Sequence, residues 1–159
     1  QIDLAKSIGI KPTHIDSHEG ALFFDQSIFK TYLDIGEENQ LPVFVPKEVA
    51  VHFDKSFPKP ENVVIVENMY MALPNLEFKD WSDYYVNVIE NLKPGLNEII
   101  VHLGYDDKEM QQITIEHPNY GSKWRNLDMD VVSSESFKQA IEKNNIKLVT
   151  WREIQKVIY

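Results

Sequence analysis

Unbroken apolar runs constrain this chain more than any other feature: Val43-Phe44-Val45, Val63-Val64-Ile65-Val66 and Ile99-Ile100-Val101. A strand that faces water on one side alternates apolar and polar residues, whereas a continuous run reads as a strand covered on both faces. Between these runs the apolar residues recur at helical spacing instead. Phe24, Ile28, Tyr32 and Ile35 predict a helix over 24–36 closed by Gly36. Trp81, Tyr84, Tyr85, Val88 and Leu92 predict another over 78–93, ended by Lys93-Pro94-Gly95. Gln1–Gly9 reads as the tail of a helix, Ser133–Asn144 as a serine-started helix with Phe137, Ala140 and Ile141 inside, and Arg152–Tyr159 as a terminal helix. Five strands are expected, near 13–16, 42–45, 63–66, 97–103 and 146–149, with a loop over Met69–Glu77. Strand–helix alternation of this kind implies an α/β fold, its strands mostly parallel and its helices outside. Five strands could form an open sheet and are too few for a closed (β/α) barrel, which takes about 250 residues. In either architecture a site lies at the carboxyl ends of the strands.

One strand end carries the densest chemistry. Thr13–Gly20 reads Thr-His-Ile-Asp-Ser-His-Glu-Gly. In a strand, His14, Asp16 and His18 share a face; in a helix, only the two histidines do. Two imidazoles and a carboxylate on one face could supply part of a divalent-metal site. The plainer alternative is a surface strand end with satisfied histidines. His102 follows a second apolar run on its C-terminal side, so two strand-end histidines from distant parts of the chain are expected at one mouth. His52, between Val51 and Phe53, and His117, before Pro118, read as structural.

Composition excludes several classes. The 159 residues carry a formal net charge of -9 with no basic patch, which argues against a nucleic-acid partner. There is no cysteine, so disulfide scaffolds and thiolate metal sites are excluded. No apolar run approaches the length of a membrane span, and no membrane partner is expected. Nothing in the residues names a location. The chain is read as a single domain over 1–159.

Pro12-Thr13-His14-Ile15-Asp16-Ser17-His18 resembles the signature of the YdjC-like (ChbG/HpnK) carbohydrate deacetylases. Glu98-Ile99-Ile100-Val101-His102-Leu103-Gly104-Tyr105 resembles that family's Glu…His-Pro-Gly-Tyr segment, with Leu103 in place of proline. The likeness continues through Arg125–Asp130, the serine-started helix, Ile146–Thr150 and Trp151-Arg152-Glu153. It implies part of a distorted (β/α) barrel and a metal-dependent enzyme that removes N-acetyl groups from sugars. In the family an Asp-Asp pair and a further histidine lie on the first strands. By resemblance, the second Asp, that histidine and the equivalent of His18 hold the metal, and the first Asp is the base. Asp106-Asp107 is the only such pair here, after a different strand. The expectation is therefore the C-terminal portion of a longer catalytic domain, with His18 as its remaining metal ligand.

The implied chemistry is amide hydrolysis. A divalent ion, Mg2+ or Zn2+, polarises the acetamide carbonyl and acidifies a bound water. A carboxylate takes the water's proton, and an acid protonates the departing amine. His102 is the candidate for that acid or for an oxyanion donor, and Asp16 for the group that orients a ligand histidine. His14 is a candidate substrate contact, with partner of Asp16 and metal ligand as alternatives; Arg125 is a candidate substrate contact or a surface ion pair. The expected partners are an N-acetylated oligosaccharide and a second copy of the chain in a homodimer. Two competing readings remain: another barrel metallohydrolase, such as a phosphoesterase, and a non-catalytic sugar-binding or scaffold domain.

Overall fold

The computed structural model describes residues 1–50 and 59–159; the expectation for His52 falls outside them. In chain order the helices are α1 Ile2–Ser7, α2 Gln26–Glu38, α3 Lys47–Ala50, α4 Trp81–Glu90, α5 Lys108–Ile113, α6 Ser122–Ser133, α7 Glu135–Lys143 and α8 Trp151–Ile158. The strands are β1 Val43–Pro46, β2 Val63–Val66, β3 Asn68–Tyr70 and β4 Asn97–Ile99. They fall into two compact units, Gln1–Asn68 with Leu148–Tyr159, and Met69–Lys147.

In the first unit β1 and β2 pair in parallel, Val43 opposite Val63 through Pro46 opposite Val66. Ile15 adds a parallel bridge to Val43: its N–H donates to Pro42 O at 3.0 Å, and Phe44 N–H donates to Ile15 O at 3.1 Å. The β-branched runs are thus parallel and buried, as their unbroken apolarity predicts. Helix α2 covers them, capped by Asp25, whose carboxylate accepts the N–H groups of Ser27 and Ile28.

The face that α2 buries differs from the expected stripe. Phe29, Tyr32, Leu33 and Gly36 are inside, while Phe24 is 87% exposed and Ile28 and Ile35 also face solvent. Both sets recur at helical spacing, and contact with β1 decides between them. A Cβ on Gly36 would stand 2.1 Å from Val43 Cγ2, so the residue that looked like a terminator is where helix and strand approach closest. The helix runs on to Glu38 and closes with Gln40 at φ 54° and Leu41 N–H on Gly36 O at 2.8 Å.

In the second unit β3 and β4 form a two-stranded sheet, and Ile100 N–H donates to Tyr70 O at 2.8 Å. Trp81, Tyr85 and Ile89 of α4 pack with Trp124 and Val131 of α6 and with Phe137 and Ala140 of α7. Ser134 caps α7 through Phe137 N–H, one residue beyond the expected serine.

Several boundaries move. The stretch 146–149 is not a strand: Ile146 N–H turns back to Ile141 O at 3.1 Å to close α7, and Leu148 is exposed. The expected loop over Met69–Glu77 begins inside β3, and the strand over 97–103 is ordered as one only through Ile99. Helices α5 and α6 were not expected. The result is mixed α/β with short sheets; among the described residues no closed barrel forms. No helix among them is long and apolar enough to cross a membrane.

Candidate functional site

The candidate residues divide between the units. His14, Asp16 and His18 belong to the first, His102 and Arg125 to the second.

Around Ile15 the chain is extended, so His14 and Asp16 project from the face opposite Ile15, which packs on the β1 core. His14 stacks flat on Trp151 of α8, with ring centroids 4.3 Å apart and planes 4° from parallel. Phe44 meets the same indole edge-on at 6.3 Å. Thr13 Oγ1 lies 3.1 Å from His14 Nδ1. Burial pushes the His14 pKa below the ordinary imidazole value, and the Asp16 charge opposes that. Asp16 itself is exposed, and its Oδ1 accepts the Ser17 N–H.

The alternation ends there. His18 opens a 3₁₀ turn over His18–Phe23, in which Glu19 and Gly20 are left-handed at φ 53° and 70°. Buried Ser17 holds this turn through Leu22 N–H on its Oγ at 2.9 Å. His18 is exposed on it. Beneath, Tyr32 OH donates to Ile15 O at 2.8 Å and Phe44 O at 2.9 Å, pinning the strand end to β1. Burial, then the Asp16 charge, raises the Tyr32 hydroxyl far above the phenol range, so it stays a donor.

In the second unit His102 follows β4, and its backbone N–H donates to Asp128 Oδ2 at 2.8 Å. Asp128 is 0% exposed, and its Oδ1 accepts Trp81 Nε1–H at 2.8 Å and Tyr85 OH at 3.0 Å. The His102 ring lies against Tyr120, centroids 5.1 Å apart. Its Nδ1 is buried without a hydrogen-bond partner among the described residues. Burial, then the Arg125 charge, lowers the imidazole pKa; the Asp128 charge opposes both. Arg125 donates Nε–H to Tyr120 O at 2.8 Å and forms no ion pair among the described residues. Gly104 makes room for it: a Cβ there would lie 3.3 Å from Arg125 Cβ.

Sequence reasoning passed over Asp128 and the indole of Trp151. The signal for Asp128 was its place at i+4 between Trp124 and Val131 on the buried stripe of α6.

No group of three His, Cys, Asp or Glu side chains that could hold a metal ion occurs among the described residues. A three-ligand divalent site therefore does not fit this set as it stands; His18 is exposed and is the residue of the set that the resemblance makes a ligand.

Fold and side chains define an α/β protein with histidines and carboxylates at the ends of short strands. Residues 1–143 match the family described as YdjC-like protein, and the chain belongs to that family. It is 24% identical over 156 residues to a carbohydrate deacetylase of Clostridium beijerinckii, covering 97% of this chain and 58% of that one. It is also 24% identical over 151 residues to a carbohydrate deacetylase of Thermoanaerobacter pseudethanolicus, covering 95% and 55%. The chain thus spans little more than half the length of these curated relatives. A solved structure from Enterococcus faecalis V583, described as a cellobiose-phosphate cleavage protein, shares the fold with a TM-score of 0.68 at 20% identity, over 96% of this chain and 56% of that one.

Proposed function

We propose that this chain is part of a carbohydrate deacetylase that hydrolyses the acetamide of an N-acetylated oligosaccharide. The observation that carries the reading is the family match over residues 1–143, with relatives named carbohydrate deacetylase. In the reaction water adds to the acetyl carbonyl carbon, the C–N bond breaks, acetate leaves and the sugar amine takes a proton. His102 is the proposed source of that proton, or the donor to the oxyanion; burial and the Arg125 charge hold its pKa down, so the neutral ring is favoured as pH rises. Arg125, which forms no ion pair among the described residues, is the proposed sugar contact of the second unit, and His14, stacked on Trp151, that of the first. Asp16 is proposed to orient a histidine by its charge.

The reading includes a divalent ion, Mg2+ or Zn2+, with His18 among its ligands; the described residues do not complete that site, and no step above runs through it. That same observation favours a second reading, a non-catalytic sugar-binding relative. Acetate release from N-acetylglucosamine oligomers by the full-length protein, before and after chelation and after adding Mg2+ or Zn2+ back, decides between them. Metal-dependent release supports the deacetylase. Sugar binding without release supports the second reading.

A further inference from the structure

Asp128 is unusual in its surroundings. Its carboxylate is fully buried and holds three donors, none of them a cation among the described residues. Burying a carboxylate costs several kcal/mol, and neutral donors recover only part of that. A structural clamp would be built more cheaply from a neutral side chain. Asn cannot serve here: both oxygens accept, and an amide NH2 would oppose a donor at one of them. The geometry asks for two acceptor oxygens on one carbon, which a carboxyl group supplies.

Two of the donors, Trp81 and Tyr85, come from α4 and lock Oδ1. The third is the main chain of His102, on Oδ2. The imidazole of that same residue lies against Tyr120, and the Arg125 charge acts on it. Arg125 lies one turn before Asp128 on α6, so one helix presents opposite charges to one histidine.

We propose that Asp128 is a positioning residue for His102: through Oδ2 it fixes the strand-end backbone that carries the ring. This rests on the reading of His102 as a donor. The charged and titratable groups facing the ring are Arg125 and Asp128 from α6 and Tyr120 from the loop before it; Tyr85 from α4 reaches it only through Asp128.

The test uses the full-length protein, with His102 titrated by NMR and steady-state kinetics on an N-acetylglucosamine oligomer. Asp128→Asn is expected to lower the His102 midpoint by on the order of one pH unit. It is expected to lower kcat about 100-fold with KM little changed, the scale of a misplaced catalytic group. Tyr85→Phe keeps the charge and the His102 bond, so its midpoint stays at the wild-type value while kcat falls a few-fold. A folded Asp128→Asn protein with wild-type midpoint and kcat overturns the proposal. Should that variant not fold, an unchanged kcat in Tyr85→Phe overturns it instead. A fully active His102→Ala protein would overturn the catalytic reading, and the midpoint shift would then still report the coupling of the two residues.

Discussion

The two units use a carboxylate beside a strand-end histidine in opposite ways. Asp16 is exposed, holds one backbone N–H and acts on His14 through its charge alone. Asp128 is sealed, holds three donors and grips His102 by the main chain. The first arrangement leaves lone pairs free for a ligand; the second consumes them in holding a neighbour still. A carboxylate's exposure thus separates a group that can meet substrate or metal from one that positions something else.

The sharpest way to break this contrast is to remove the exposed histidine. His18→Ala in the full-length protein is expected to abolish metal binding and turnover together, checked by calorimetric titration and acetate release; full metal occupancy in the variant would sink the ligand assignment. His102→Ala should instead keep the metal and lower kcat by about two to three powers of ten, measured on the same preparations.

Stability should divide along the same line. Asp128→Ala leaves three buried donors without an acceptor and is expected to cost about 2–4 kcal/mol in urea unfolding. Asp16→Ala should stay within about 0.5 kcal/mol, the usual range for an exposed position. Equal losses at the two sites would erase the distinction.

The smallest effect is pH-dependent and common to both units. Burial holds the folded pKa of His14 and His102 below 6.5. As pH falls through that value the unfolded chain takes up protons that the folded chain refuses, so stability is complete above it and declines below it. The urea midpoint should drop between about pH 7 and pH 5, and His14→Gln with His102→Gln should flatten the drop.

The β-branched runs of β1 and β2 were legible because no polar residue interrupts them. Ile146–Val149 looks alike in composition, but strand formation also needs a partner with free hydrogen-bonding groups, and Ile146 N–H is already spent on α7. The helix at Gln26–Glu38 was legible, yet its inner face was not, because a glycine scores as no contact until the opposing strand is known. At the site, the motif around His14, Asp16 and His18 stood out as a local cluster. Asp128 could not: its partners Trp81, Tyr85 and His102 lie 47, 43 and 26 residues away. A carboxylate on a helix reads as a solvent-facing residue until the tertiary fold is drawn.

The close approach of Gly36 to Val43 carries an evolutionary consequence. A first side-chain carbon at position 36 would collide with a γ-methyl at position 43, so the two sites cannot drift independently. Relatives with alanine or serine at 36 are expected to carry a smaller residue at 43 or a displaced helix. Among aligned family members the pair should covary, and a relative with bulky residues at both positions must hold its α2 farther from the sheet.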